Sequence, residues 1–128
     1  MKALARGTAA AVLLASIAGP AMAAGDPDAG SHVFTQCKAC HSLEAGKNMV
    51  GPSLHGLFGR TAGTAAGYSY SDAMKKAGAG GLAWNEDTLA KYLADPKAFV
   101  PGDKMPFLGV KDPAKLADLI AYLKQATQ

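Results

Sequence analysis

The chain has few cysteines and no pattern typical of β-strands, which argues against a zinc site and against a thioredoxin-like redox pair. Cys37 and Cys40 are the only two cysteines among 128 residues. A zinc site built from two cysteine pairs is therefore excluded, because zinc takes four ligands and no second pair exists. No βαβ pattern surrounds the two cysteines, which disfavours a thioredoxin-like redox pair.

Net charge is also small once the N-terminal segment is set aside. Lys2 and Arg6 account for two of the 13 basic residues, so residues 25–128 carry 11 basic and 10 acidic residues. A general nucleic-acid-binding protein would show a strong basic excess. We therefore expect no nucleic-acid partner.

The two cysteines belong to the pentapeptide Cys37-Lys38-Ala39-Cys40-His41. This C-x-x-C-H pattern is the attachment signature of a c-type haem. The two thiols form thioether links to the haem vinyl groups, and the following imidazole is a good iron ligand. The sequence therefore predicts one covalently attached haem c (iron). The adjacent histidine argues against the alternative of a simple disulfide.

Residues 1–24 read as a secretory signal peptide. Lys2 and Arg6 give a positive start, residues 9–18 are mostly apolar, and Ala21-Met22-Ala23 offers a cleavage site. The apolar run is too short to span a bilayer as a helix, so we expect no stable membrane anchor. This predicts a cleaved signal, a domain at residues 25–128 and a periplasmic protein, with cleavage after Ala23 or Ala24.

Four helices are predicted, and no segment alternates clearly enough for a strand, so the fold class is all-α. The first opens at Asp26-Pro27 and runs toward Cys37, and the second covers Ser71 to Ala77 and ends at Gly78. The third is capped by Asn85 and stopped by Asp95-Pro96, and the fourth opens at Asp112-Pro113 with apolar residues at Leu116, Leu119, Ile120 and Leu123.

A long glycine-rich segment, residues 42–70, lacks helical periodicity. A connection of that length indicates function or disorder. Its apolar residues make a disordered linker improbable on composition: Leu54, Leu57, Phe58, Tyr68 and Tyr70. We therefore expect the segment to wrap a large flat apolar cofactor.

Gly30 lies inside the first predicted helix, where glycine costs about 1 kcal/mol relative to alanine. Two interpretations remain open. Gly30 either allows a close crossing by the last helix, with Phe34 and Tyr122 packed beside it, or is an ordinary glycine in a short helix.

Met105 is the residue best placed to fill the second axial position of the iron. It lies between Pro101 and Pro106, which restrict the backbone around it. Chain length alone does not exclude Met49. Met74 reads as a packing residue, and the two other histidines, His32 and His55, read as a surface helix residue and a loop residue.

Several motifs occur in a fixed order along residues 25–127: Gly30 and Phe34, CKACH, GPSLHGLFGR from Gly51, GYSY from Gly67, Trp84, YLADPK from Tyr92, PGDKMPF from Pro101 and DLIAYL from Asp118. Taken together, these motifs resemble those of the class I cytochromes c, close to mitochondrial cytochrome c and its soluble bacterial periplasmic relatives. The resemblance implies a fold with crossing N- and C-terminal helices, two shorter helices and long loops wrapped around one covalent haem.

The resemblance also implies roles for individual residues. His41 would be the proximal ligand and Met105 the distal one, with the Pro52 carbonyl accepting the other His41 ring N–H. A haem propionate would be contacted or neutralised by Arg60, Tyr70 and Trp84, and Tyr92 would lie near the methionine sulfur.

Three features depart from the family pattern. Asp103 replaces a usual threonine, and a carboxylate there would repel a propionate unless it points outward. Met74 replaces an asparagine that often joins a buried water network. Residues 77–83 form a segment about three residues longer than usual. These departures bear on propionate solvation and on potential, not on ligation.

The resemblance implies a one-electron carrier and not an enzyme. A haem peroxidase or a ligand-binding cytochrome would leave one iron position open, and no second C-x-x-C-H is present for a two-haem peroxidase. The expected protein is a monomer that docks on acidic surfaces of a cytochrome bc-type complex, a terminal oxidase or a photosynthetic reaction centre. A dedicated electron acceptor of one periplasmic dehydrogenase is the alternative.

Lysine placement suggests how such docking could work. Five lysines together could form a positive ring around an exposed haem edge: Lys38, Lys47, Lys97, Lys104 and Lys111. Each of them taken singly could be an ordinary solvated lysine.

Overall fold

The computed structural model describes residues 2–5, 7–15 and 24–128. From residue 24 onward it contains α1 (Pro27–Val33), a 3₁₀ helix (Phe34–Cys37), α2 (Asp72–Ala79), α3 (Glu86–Ala94), α4 (Pro96–Phe99) and α5 (Pro113–Ala126). Within these described ranges, strand-like pairing is limited to one bridge between Thr61 and Ala83. The all-α prediction is confirmed.

The proposed cleavage segment Ala21-Met22-Ala23 and much of the leader lie outside the described residues. The signal peptide therefore stays a prediction. Among the helices of the described ranges, none has the length and apolar character needed to cross a membrane.

The helices begin at the predicted capping residues. The Asp26 carboxylate accepts from the Asp28 backbone N–H at 2.9 Å, and the Asp112 carboxylate accepts from the Ala114 N–H at 2.8 Å. Asn85 forms a reciprocal capping box with Thr88, with both hydrogen bonds at 2.9 Å. These side chains satisfy backbone donors that have no partner within the first turn.

The crossing of α1 and α5 requires glycine at position 30. A Cβ there would overlap the carbonyl oxygen of Asp118 on α5. Phe34 is buried beside the contact, and its ring centroid lies 5.2 Å from that of Tyr122. Of the two interpretations of Gly30, the structure therefore supports the close helix crossing.

The predicted end of the second helix is wrong. Gly78 lies inside α2, which continues to Ala79 and is capped by Gly80. Gly78 is buried, and a Cβ at this position would overlap the Ala62 carbonyl oxygen. Close packing of α2 against the long loop, and not helix termination, accounts for this glycine.

Helix α4 was not predicted. Asp95 and Pro96 do end α3, but Pro96 also occupies the first position of the new helix, and the Asp95 carboxylate accepts from the Ala98 N–H at 3.3 Å. Proline at a first helical position is favourable because no intrahelical partner for its N–H is lost. The two short helices α3 and α4 thus meet at this residue pair.

Residues 42–70 contain no helix, as the glycine content predicted. The segment nevertheless enters the interior: Leu57 is buried and joins the core cluster that contains Trp84, Leu89 and Tyr92. Burial of a loop's apolar side chains in this way excludes a disordered linker. The loop forms one wall of the site described next.

Candidate functional site

A cavity of about 410 Å³ opens among residues of both core clusters. Its walls come from the 3₁₀ helix, the long loop, α2, α3, α5 and the segment around Met105. The structure brings all nine sequence-predicted site residues to this one cavity: Cys37, Cys40, His41, Pro52, Arg60, Tyr70, Trp84, Tyr92 and Met105. Residues spread over most of the chain therefore share one site.

Local backbone hydrogen bonds place the two cysteines and His41 on a tight turn. The N–H groups of Cys40 and His41 both donate to the Cys37 carbonyl oxygen, at 3.2 and 3.0 Å. Both cysteines are half-buried and neither forms a disulfide. Burial raises the pKa of the Cys37 thiol, and the neighbouring Cys40 raises it further.

The His41 imidazole has a defined orientation and tautomer. Its Nδ1 lies 2.8 Å from the Pro52 carbonyl oxygen. A carbonyl oxygen can only accept, so Nδ1 carries the hydrogen and Nε2 presents its lone pair. Burial lowers the pKa of His41 despite the opposing effect of the Pro52 hydrogen bond. A neutral, oriented imidazole is the form that binds a metal.

Gly51 lines the cavity, although the sequence motif that it begins predicted no role for it. It is buried, and a Cβ at this position would overlap the His41 ring. Its N–H donates to the Cys40 carbonyl oxygen at 2.8 Å, so the loop is drawn against the cysteine-bearing turn. The glycine in front of Pro52 could have signalled this close approach.

Met105 and Met49, the two methionines left open as iron ligands, have different surroundings. Met105 is half-buried, lines the cavity and has its sulfur 4.0 Å from the Tyr92 hydroxyl. Met49 is 44 % exposed and does not line the cavity. Met74 lines the cavity as part of the buried core, while His32 and His55 are exposed.

Asp103 neither points outward nor stands as an unpaired charge, which corrects the expectation from sequence. Its side chain is 2 % exposed. The carboxylate accepts from the Tyr92 hydroxyl at 2.6 Å and from the Lys97 ammonium at 2.7 Å. Burial and this carboxylate strongly raise the pKa of Tyr92, so the phenol stays protonated and remains a donor.

Arg60 brings a buried donor without a partner to the cavity wall. Its Nη1 donates to the carbonyl oxygens of Ser53 and His55 at 3.0 and 3.3 Å. Its Nε is buried and has no hydrogen-bond partner among the described residues. A half-buried guanidinium with a spare buried N–H fits an acidic group of a bound molecule.

Two aromatic residues complete this part of the wall. Trp84 is buried with its ring centroid 5.1 Å from that of Tyr92, and its backbone N–H donates to the Arg60 carbonyl oxygen at 2.9 Å. The Tyr70 hydroxyl accepts from the Ala65 N–H at 3.0 Å. The tyrosine hydroxyl hydrogen remains available as a donor.

These residues fit a haem. The site offers two thiols and an oriented imidazole on one turn, apolar walls from residues such as Leu57 and Leu89, and an unpaired buried donor on Arg60. In a c-type haem, the thiols would match the vinyl carbons and the imidazole would match the iron. The apolar walls would match the macrocycle, and the Arg60 donor would match the propionates.

Comparison with known proteins agrees with this chemistry. The family model described as cytochrome c matches residues 27–127. Cytochrome c2 iso-2 of Magnetospirillum fulvum is 62 % identical over 71 % of this chain and 92 % of its own length. Cytochrome c2 of Blastochloris viridis is 55 % identical over 89 % of this chain and 87 % of its own length.

A solved structure extends the likeness to three dimensions. Cytochrome cH from Methylobacterium extorquens superposes with a TM-score of 0.72 at 53 % identity, covering 78 % of this chain and 98 % of the other. Cys37 and Cys40 stand at the attachment positions of the family's covalent haem c. The chain belongs to the cytochrome c family of haem-binding electron carriers.

Proposed function

We propose that this chain is a one-electron shuttle of the bacterial periplasm, with His41 and Met105 as the axial iron ligands. The observation that carries the proposal is the placement of His41 and Met105 on the wall of one apolar cavity beside Cys37 and Cys40. When bound, the haem supplies iron that alternates between the ferric and ferrous states. The chain's own residues then determine how that iron is held.

The proximal side is held by two contacts. The Pro52 carbonyl fixes the His41 ring through Nδ1, and the Gly51 backbone lies against the ring without room for a side chain. Hydrogen bonding of this kind raises the basicity of a ligating imidazole and fixes its tautomer.

On the distal side, Met105 is the proposed ligand because its sulfur lies in the cavity within reach of Tyr92. A thioether ligand raises the potential of a haem compared with a second imidazole or a thiolate. If His41 and Met105 both bind the iron, they would leave no position on it for a substrate or peroxide. On this basis we propose a carrier and not an enzyme.

Arg60, Tyr70 and Trp84 are proposed to bind the haem propionates. The Arg60 Nε supports this role because it is a buried donor with no partner among the described residues. Tyr70 also has its hydroxyl hydrogen free to donate, since the oxygen is used as an acceptor for Ala65. A buried, partnered propionate costs less free energy than one left without donors.

The domain at residues 25–128 is proposed to follow removal of residues 1–24. Support comes from the start of the fold: a Cβ at Gly25 would overlap the backbone of Ala117, and the Asp26 N–H donates to the Asp118 carboxylate at 2.8 Å. Gly25 and Asp26, which follow the expected cleavage site, thus pack directly against α5.

Docking is proposed to use the lysines that remain available around the cavity. Lys38 is exposed and forms no ion pair within the described ranges, and Lys104 lines the cavity with its ammonium 4.8 Å from the Tyr68 ring centroid. Lys47 and Lys111 are weaker candidates because carboxylates lie near them, at 3.7 Å from Glu44 and 3.9 Å from Asp95. Acidic surfaces of redox complexes are the proposed partners.

The direct test is electron transfer with purified complexes. The haem-loaded protein should be reduced by a cytochrome bc-type complex and oxidised by a terminal oxidase or a photosynthetic reaction centre. Turnover with none of these, but with one periplasmic dehydrogenase, would contradict a general shuttle. Steady peroxide reduction by the native protein at a rate comparable to electron transfer would contradict the non-enzyme proposal.

A further inference from the structure

Asp103 is a buried carboxylate with partners on two helices, α3 and α4. Its side chain is 2 % exposed. One carboxylate oxygen accepts from the Tyr92 hydroxyl of α3 at 2.6 Å, and the other accepts from the Lys97 ammonium of α4 at 2.7 Å. A buried charge of this kind is tolerated only when it is paired and hydrogen-bonded.

The Lys97 ammonium does more than neutralise this carboxylate. It also donates to the backbone carbonyl oxygens of Asp103 at 2.7 Å and Met105 at 3.1 Å. The two carbonyls flank Lys104, so one ammonium group ties down the backbone on both sides of it. Lys97 thereby fixes the main chain of the residue that we assign as the distal ligand.

Tyr92 connects the same network to the methionine side chain. Its hydroxyl donates to Asp103 and lies 4.0 Å from the Met105 sulfur. Because the carboxylate holds the phenol hydrogen, the phenol oxygen and not its hydrogen is left facing the sulfur. Asp103 therefore binds both the phenol that lies against the Met105 side chain and the ammonium that holds the Met105 backbone.

We propose that Asp103 and Lys97 are positioning residues that hold the Met105 segment in the orientation that binds iron. This inference rests on the proposed ligation by Met105. Removing Lys97 alone leaves a buried carboxylate unpaired, which destabilises a structure far more than loss of an exposed pair. The segment should then open, and an added ligand should reach the iron more easily.

The network has an electrostatic consequence as well. Loss of Lys97 leaves net negative charge beside the ligand, which favours the oxidised iron and lowers the midpoint potential. Loss of the Asp103 charge leaves net positive charge and raises the midpoint potential. A purely steric role would not predict shifts of opposite sign.

Lys91 offers a matched control. Its ammonium pairs with Asp87 at 3.1 Å, but both side chains are exposed, at 59 % and 75 %. Lys97 has a similar exposure of 51 %, so the two lysines differ in whether their carboxylate is buried and in the two backbone carbonyl contacts that Lys97 also makes. Replacement of Lys91 should therefore measure the general effect of losing a lysine.

The experiment titrates imidazole into the oxidised, haem-loaded protein and follows the long-wavelength sulfur–iron absorption band. We expect Lys97→Met to bind imidazole at least tenfold more tightly than the native protein, and Lys91→Met and Lys97→Arg to stay within about threefold of it. The double variant Lys97→Met with Asp103→Asn should gain less imidazole affinity than the product of the fold-increases of the two single variants, because the unpaired charge is gone.

Any one of three results would overturn the proposal. Lys97→Met could bind imidazole no more tightly than Lys91→Met, or the fold-changes in imidazole affinity could simply multiply in the double variant. The third such result is a midpoint potential that shifts in the same direction in Lys97→Met and Asp103→Asn. Failure of the ligation proposal would look different. The sulfur–iron band would then be missing from the native protein before any variant is compared.

Discussion

The backbone of Gly51 lies so close to the His41 imidazole that a single methyl group at position 51 would overlap the ring. The next residue, Pro52, accepts the ring's Nδ1 hydrogen at 2.8 Å. Two consecutive residues of one loop therefore set both the position and the tautomer of the proposed proximal ligand.

Gly51→Ala should destabilise the haem-loaded protein by about 1–3 kcal/mol, the usual cost of overpacking a close contact. The backbone of Gly51 does not adopt a positive φ, so the cost comes from the contact with His41 and not from backbone strain. Gly80→Ala is the control, because Gly80 has a φ of −79° and only ordinary contacts for a Cβ. Equal unfolding midpoints in guanidinium for the two variants would contradict the account.

Without haem the chain should be largely unfolded. The cavity is lined by the residues that form much of the core, including Leu57, Trp84 and Leu89. Emptying it exposes those side chains to water, and a chain of this size buries little other surface. Cys37→Ala combined with Cys40→Ala should lose most of the helical signal in circular dichroism compared with the haem-loaded protein. A cooperative thermal transition in that variant would show that the fold does not depend on haem.

Lys38→Glu should slow electron transfer to an acidic partner several-fold at low ionic strength, because attraction between exposed charges steers the encounter. Lys115→Glu should have much less effect. Lys115 is exposed on α5 and, within the described ranges, forms no ion pair, whereas Lys124 on the same helix is bound to Glu86 and is a less suitable control.

Salt dependence provides a second check on docking. The screening length falls from about 30 to about 8 Å between roughly 0.01 and 0.15 M salt. Second-order rate constants of the native protein should fall over this range, and the deficit of Lys38→Glu should shrink with them. Rates that stay flat, or equal deficits for Lys38→Glu and Lys115→Glu, would remove the proposed docking role.

Helix starts could be predicted from sequence because they depend on local chemistry. Asp26, Asn85 and Asp112 each accept backbone N–H groups within three residues, and such contacts are encoded in adjacent positions. The end of α2 could not be predicted in this way. Gly78 is there because Ala62 approaches the helix from a distant part of the chain, and nothing in the neighbouring sequence reveals that contact.

The same distinction applies to the site. The haem-attachment cysteines and His41 form one contiguous motif, so the sequence was sufficient to identify them. From sequence, Asp103 is predicted only to repel a propionate unless it points outward, because its partner Lys97 lies on α4, a helix that the sequence does not predict. Its ion pair with Lys97 and its hydrogen bond from Tyr92 depend on how three elements pack together.

The identity of the distal ligand is the central claim, and the long-wavelength sulfur–iron band of the oxidised protein tests it most directly. Met105→Ala should abolish the band, because Met105 lines the cavity with its sulfur near Tyr92. Met49→Ala should leave the band intact, because Met49 is 44 % exposed and does not line the cavity. A band that survives in Met105→Ala and disappears in Met49→Ala would contradict the proposed ligation.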